Sequence, residues 1–399
     1  MSIDSDHRRD ANSKSESRPR LDVVDLLRGV AIVLMALDHV REFLQAEQVD
    51  PTDLSHTTVP LFLTRWITHF CPSIFVLLAG VGISLGMSGR KSRWQQSQFV
   101  LARGLWLVVL ELTAVHVGWF FNFHLNAALG QVIWAIGWSM VGVALLLFLS
   151  DRYIAAIGIV LILGHNALDG IPSSRFGSLG WVWTMLHAGG PISFGKFFIY
   201  IAYPVVPWVG VMAAGVGFGH LLRLPRHTRC RLIPILGLAM ILLFAILRGG
   251  NFYGNPGPWI RQSTPAMTML SILNCHKYPP SLSFLLMTLG PTFVVWPLLE
   301  HTKGRFANFL IVFGRVPMFF YLAHLFVVHA LTIGIVYAQV RSFPKWLWDF
   351  PPGHAGPGCG VSLPVLYLIW IGVVLFHYPL CLWYGAIKNR YPKSFLRFL

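Results

Sequence analysis

Runs of apolar residues long enough to cross a bilayer recur along the whole chain, and they leave few folds open. They fall near 22–46, 61–87, 99–122, 128–149, 152–168, 197–221, 232–248, 281–299, 307–334 and 361–386. A spanning helix needs about 20 mostly apolar residues, and inside lipid every backbone amide must be satisfied within its own helix or a closed barrel. A barrel would show short alternating segments; these runs are continuous in Leu, Ile, Val and Phe and are split by Gly and Pro. The expected fold is all-α: a polytopic transmembrane helix bundle of about ten spans. Composition agrees, since 55% of the 399 residues are hydrophobic and only 12% charged, more apolar surface than a soluble chain of this size could hide.

A net charge of +15 invites a nucleic-acid reading, and its distribution argues against one. With the N-terminus in the cytoplasm, 19 Lys and Arg fall in cytoplasmic segments and 9 on the opposite face. Arg28, Arg103 and Arg315 lie inside spans near their cytoplasmic ends. That bias follows the positive-inside rule with both termini cytoplasmic, so the expected partner is membrane lipid and not nucleic acid. Residues 1–20 are polar and basic and read as a disordered cytoplasmic tail, with no cleavable signal peptide. Residues 21–399 read as a single transmembrane domain without a sequence repeat. Five scattered cysteines form no CxxC pair, which gives zinc or redox chemistry little support; a Cys275–Cys359 disulfide on the outer side stays open. The outer loops 47–60, 169–196, 249–280 and 335–360 are long and rich in Gly, Pro, Trp and His. An outer substrate would explain them, and so would loops that merely plug the bundle.

The first span is the least ordinary, because it carries Asp25 and Arg28 at one end and Asp38 and His39 at the other. Ionisable groups at bilayer depth are rarely tolerated without a partner or a role. Eleven helical steps leave Arg28 and His39 about 20° apart around the axis and about 16 Å apart along it. One face of this helix is therefore polar at both ends, like the wall of a site reached from both sides of a membrane. His39 is the leading candidate base, with His69 and His324 at comparable depth on other helices and His56 in the first outer loop. Each of them also fits a histidine that simply bonds to a neighbouring helix. Asp38 is about 100° from His39 and is better placed to pair with Arg41 or Arg65. Asp25, Arg28, Arg103 and Arg315 suit a phosphate-bearing cofactor, although snorkelling to headgroups would look the same. Arg65, Lys277, Tyr278 and His324 are the expected acceptor contacts. No metal is expected, since no paired-ligand motif accompanies these histidines.

The opening segment, with Asp25, Arg28 and His39, resembles the large family of membrane O-acyltransferases that modify envelope glycans, where the histidine is considered the acyl-transfer residue. The string Leu21–Met35 and the stretch Pro72–Gly80 also resemble the catalytic domain of heparan-α-glucosaminide N-acetyltransferases. Bacterial membrane members of that family share phrases such as Ala36–Arg41, Arg65–Cys71, Ile133–Trp138 and Lys277–Ser281, so the likeness covers nearly the whole chain after residue 20. The glucosaminide enzymes carry asparagine where His39 falls and place their catalytic histidine in the following outer loop, where His56 is the nearest equivalent.

The resemblance implies a membrane-bound enzyme in a plasma (bacterial inner) membrane. It would move an acetyl or other short acyl group from cytosolic acetyl-CoA to an amine or hydroxyl of a sugar-like acceptor at the outer face. A proton-coupled transporter or permease of a small metabolite is the alternative, since buried Asp, Arg and His also suit substrate passage. A homodimer stays open.

Overall fold

The computed structural model describes residues 21–87, 92–123, 126–348, 355–356 and 358–391; the basic tail at 1–20 lies outside the described residues. In chain order the helices are α1 (Asp22–Leu44), α2 (Val59–Thr68), α3 (Phe70–Gly86), α4 (Arg93–Leu110), α5 (His116–Phe120), α6 (Val132–Leu146), α7 (Asp151–Gly164) and α8 (Gly180–Trp183). They continue with α9 (Val205–Leu222), α10 (Arg226–Gly249), α11 (Pro265–Leu273), α12 (Leu282–Val294), α13 (Trp296–His301), α14 (Arg305–Arg315), α15 (Pro317–Val340) and α16 (Leu363–Arg390). Among the described residues, eight helical stretches are long and apolar enough to cross a membrane. α1, 23 residues long but charged, and α6, apolar but only 15 residues long, occupy the remaining two expected spans. The protein is a polytopic helix bundle. The side on which α1 begins is termed inner below, and the other side outer.

Proline chemistry sets three departures from the expected spans. Pro72 has no amide to offer the carbonyl four residues before it, and the second span is interrupted at His69 between α2 and α3. Val316 precedes Pro317 and takes φ −133°, ψ 50°, so the run at 307–334 is two helices, α14 and α15. The run at 197–221 opens as a strand, and its helix starts only after Pro204.

That strand belongs to a small sheet on the outer side, which an all-α expectation lacked. β1 (Ala127–Gly130), β2 (Gly190–Phe194) and β3 (Phe197–Ile201) lie in the order β1-β3-β2. β3 pairs in parallel with β1, Ala128 opposite Ile199, and antiparallel with β2, Ile192 opposite the same residue. The hairpin turns at Gly195-Lys196, where glycine takes φ +61° as a tight hairpin requires.

Helices meet through reciprocal glycines: Gly29 with Gly314 (α1–α14), Gly80 with Gly215 (α3–α9), Gly104 with Gly137 (α4–α6), Gly158 with Gly210 (α7–α9) and Gly237 with Gly290 (α10–α12). In lipid, where burying apolar surface between helices gains little, close backbone packing supplies the attraction, and small residues permit it. Polar links add register. Trp370 donates to the Val33 carbonyl at 2.8 Å, Thr288 donates to Ser73 at 2.9 Å, and Arg229 grips both oxygens of Glu300 at 2.6 and 3.0 Å. Cys275 and Cys359 are both free thiols.

A methyl group on Gly314 would strike the Asp25 carbonyl, a backbone atom that cannot step aside. Gly314→Ala should therefore destabilise the purified protein by about 1–3 kcal/mol, read as a lowered melting temperature. Gly334→Ala, where a Cβ meets nothing within 4 Å, should leave it unchanged or slightly raised.

Candidate functional site

The face of α1 read from the sequence runs through the middle of the bundle. Arg28, Ile32, Met35 and His39 recur at helical spacing, so their side chains form one stripe. Arg28, Ile32 and Met35 line an inner cavity of about 730 Å³, which α3, α4, α6, α15 and α16 enclose. Met35, Asp38, His39 and Glu42 line an outer cavity of about 670 Å³, roofed by the sheet through Leu129, Gly190, Tyr200 and Ile201. Met35, Phe75 and Val132 belong to both walls. The two cavities thus share one apolar neck, with Phe75 from α3 and Val132 from α6 facing α1.

His39 stands on the outer side of that neck. Its Nδ1 lies 2.7 Å from Nε2 of His324, whose own Nδ1 is 2.8 Å from the Phe320 carbonyl. A carbonyl only accepts, so His324 Nδ1 carries a proton and donates it there. With both rings neutral, His324 Nε2 is then an acceptor, and His39 Nδ1 must donate to it. This chain leaves the lone pair of His39 on Nε2, which makes no hydrogen bond among the described residues. Trp119 and Tyr321 meet the ring edge-to-face with centroids at 5.1 and 5.9 Å, so its plane is held from three sides.

Beside it, Asp38 accepts from Arg65 Nη1 at 2.6 Å on both oxygens and from Arg41 at 3.2 Å. This is the pairing its helical angle implied. Arg65 Nη2 donates to the Tyr278 hydroxyl at 3.1 Å, and Lys277 Nζ sits 5.1 Å from the Tyr278 ring centre. Burial works to raise the Tyr278 phenol, but Lys277 and Arg65 outweigh it and bring the phenol below its ordinary range. The lip carrying these residues is pinned from behind. Arg248 donates to the carbonyls of Gly257, Ser271, Ile272 and Asn274 at 2.7–3.1 Å, and Asn255 accepts from the His276 amide at 2.8 Å.

The inner cavity gathers cations. Arg28, Arg103, Arg315 and Lys388 all line it. Arg28 bonds Asp25 at 3.0 Å, and Arg315 approaches the other Asp25 oxygen at 3.8 Å, so Asp25 orients two of them without lining the cavity itself. A layer of guanidinium and ammonium groups of this kind suits phosphate oxygens.

Other residues singled out from the sequence stand apart from the cavities. His69 is buried against Phe284 with ring centres 5.4 Å apart, and its neighbour Thr68 reaches the cavity instead. His324 is wholly enclosed, so it backs His39 and has no surface to offer an acceptor. His56 is two-thirds exposed in the outer loop and bonds Asp53 at 2.8 Å. Hydrogen bonds from Ser55 and His56 hold the Asp53 carboxyl down at about 2. The sequence reading missed the roof strands, although Ile192–Ile201 holds two runs rich in β-branched and aromatic residues separated by Gly-Lys, in the manner of a two-residue hairpin. It also missed Glu111, buried in a π-helical turn, which accepts from the Gln131 amide at 3.0 Å and so holds the start of α6 at the neck.

Removing one partner of a buried ion pair leaves a stranded charge and costs about 3–5 kcal/mol, whereas replacing both is milder. Arg65→Met should therefore lower the melting temperature more than Arg65→Met combined with Asp38→Leu, with Arg41 softening the single change.

The family described as heparan-alpha-glucosaminide N-acetyltransferase, catalytic, matches residues 20–248. That stretch carries α1 to α10, and with them His39, the Asp38–Arg65 pair, Arg28, Arg103 and the whole roof sheet. Lys277, Tyr278, Arg315 and His324 lie beyond it. A search of curated proteins finds no match. The stretch covers more than half of the chain, and the protein belongs to the family of heparan-alpha-glucosaminide N-acetyltransferase catalytic domains.

Proposed function

We propose that this protein transfers an acyl group, most simply acetyl, from acyl-CoA held in the inner cavity to an amine or hydroxyl of a sugar-like acceptor in the outer cavity. The observation that carries the reading is the shared neck: a cation-lined chamber and a histidine-bearing chamber touch through three apolar residues. Arg28, Arg103, Arg315 and Lys388 bind the phosphates, and the thioester arm passes between Met35, Phe75 and Val132 toward His39. The Lys and Arg bias of the loops supports a cytoplasmic inner mouth, and a plasma membrane is the compartment we propose for the chain.

His39 Nε2 takes a proton from the acceptor nitrogen or oxygen. The acceptor atom bonds to the thioester carbon, the carbon–sulfur bond breaks, and the CoA thiolate leaves and recovers the proton. His324 stabilises the imidazolium that forms transiently on His39 and keeps Nε2 aimed at the acceptor. Lys277 and Tyr278 bind the acceptor, while Arg65 supports the negative charge that develops on the carbonyl oxygen. Family membership favours transfer over simple passage of a metabolite.

The reading is tested in proteoliposomes supplied with labelled acetyl-CoA and an amino-sugar acceptor. His39→Ala should reduce transfer by about 10²-fold or more. Arg103→Ala should raise the KM for acetyl-CoA and spare kcat. His324→Gln should lower kcat less than His39→Ala and displace the pH profile. Unchanged transfer in His39→Ala would remove this residue from the mechanism.

A further inference from the structure

On the outer side, away from His39, a second group of ligand-type side chains converges. His165 follows the last turn of α7, Asp169 is four residues on, and His187 comes from the π-helical turn at Thr184–Ala188. One ligand atom from each of the three lies within 4.8 Å of those of the other two. Both histidines are almost fully buried, at 2% exposure each, while Asp169 faces the surface.

Protein contacts explain part of the cluster. His187 Nε2 donates to the His165 carbonyl at 2.7 Å, and its ring stacks on Trp183 at 4.9 Å. Asp169 Oδ2 accepts from Asn166 at 2.8 Å, which leaves Oδ1 turned to His187 at 3.7 Å. His165 is not explained. Neither of its ring nitrogens has a hydrogen bond of good geometry, and the Pro280 carbonyl is a polar neighbour. With the Pro280 carbonyl beside one nitrogen, the other is left buried without a protein partner, a costly arrangement unless something binds it.

The geometry points to a divalent transition-metal site made by His165, Asp169 and His187, with zinc the ion that best suits two imidazoles and a carboxylate. The free Oδ1 of Asp169, an idle nitrogen of His165 and Nε2 of His187 supply three ligands, and the exposed side of Asp169 leaves a fourth position to water. Asn166 is the supporting partner: it orients the carboxylate through Oδ2 and accepts from the Leu282 amide at 2.8 Å. Binding requires His187 to carry its ring proton on Nδ1 and to give up its bond to the His165 carbonyl.

The ion has a structural task. Ala188, Gly189 and Gly190, directly after His187, line the outer cavity, and so do Lys277 and Tyr278, just before Pro280. A metal here ties the end of α7 to the wall segment that follows His187, and the Pro280 segment packs beside it. This assignment does not rest on the acyl-transfer reading, and its test needs no turnover.

The experiment uses the full chain in detergent, stripped with a chelator and carrying no polyhistidine tag. It is titrated with Zn²⁺ alone and with Co²⁺ alone. One equivalent of Zn²⁺ should bind and raise the melting temperature, and Co²⁺ should give the visible absorption of a four-coordinate ion. His165→Ala should abolish both. Asp169→Asn, an exposed and nearly isosteric change, should keep the metal-free melting temperature and weaken Zn²⁺ binding by roughly 10-fold or more. Absence of saturable binding in the wild type would overturn the site. So would equal binding by wild type and Asp169→Asn, which would assign the metal to other histidines.

Discussion

Every charge that α1 brings into the bundle must meet an opposite charge or a water-filled space, because an isolated ion at bilayer depth is too expensive to keep. Asp25 meets Arg28 and Arg315 at one end, and Asp38 meets Arg65 and Arg41 at the other. The rest of the helix between them is apolar, with Ile32 and Met35 on the cavity face. Two wet ends and a dry middle follow from this distribution alone. The surrounding helices are arranged to serve it: α3 and α6 close on the dry middle, α4, α15 and α16 enclose the inner end, and the sheet covers the outer one.

Close glycine crossings make the enclosure stiff. Where two helices touch backbone to backbone, neither rotates without losing the contact, so the faces they show to the cavities are set. α14 is held against α1 by Gly29 and Gly314, and this places Arg315 one residue later beside Asp25. α9 is gripped twice, by α3 and by α7, and the hairpin that roofs the outer cavity runs directly into it through Pro204. The roof is therefore anchored to the most tightly packed part of the bundle.

Much of this was legible in the residues. The helical period places Arg28 and His39 on one face and turns Asp38 toward Arg65, and the hydropathy runs mark the bundle. What was hidden depends on how separate segments meet. Counting from residue 307 sets His324 in the outer half of a span, but the break at Pro317 starts a new helix seven residues before it, and only the folded chain reveals that it touches His39. His69 lies about 40° from Arg65 around the helix, but the cavity face runs to the other side, through Thr68, Pro72 and Phe75, which leaves His69 against Phe284. The cluster of His165, Asp169 and His187 was invisible because its third member comes from another turn beyond an intervening loop. The short strands on the outer side escape for a simpler reason: β3 reads as an extension of α9, β1 as the start of the α6 span, and β2 as part of an outer loop.

The narrowing formed by Met35, Phe75 and Val132 has a bearing on the membrane itself. Two polar-lined chambers set end to end come close to forming a pore, and a continuous file of water through them would dissipate ion and proton gradients. A ring of hydrocarbon, aromatic and thioether surface offers a passing ion nothing in place of its hydration shell, and such constrictions empty of water spontaneously. The unbranched thioether of Met35 is also the most adaptable of the three, able to yield to a thin organic chain and then close behind it. On the proposed reading, electrical insulation and molecular passage meet in the same three side chains.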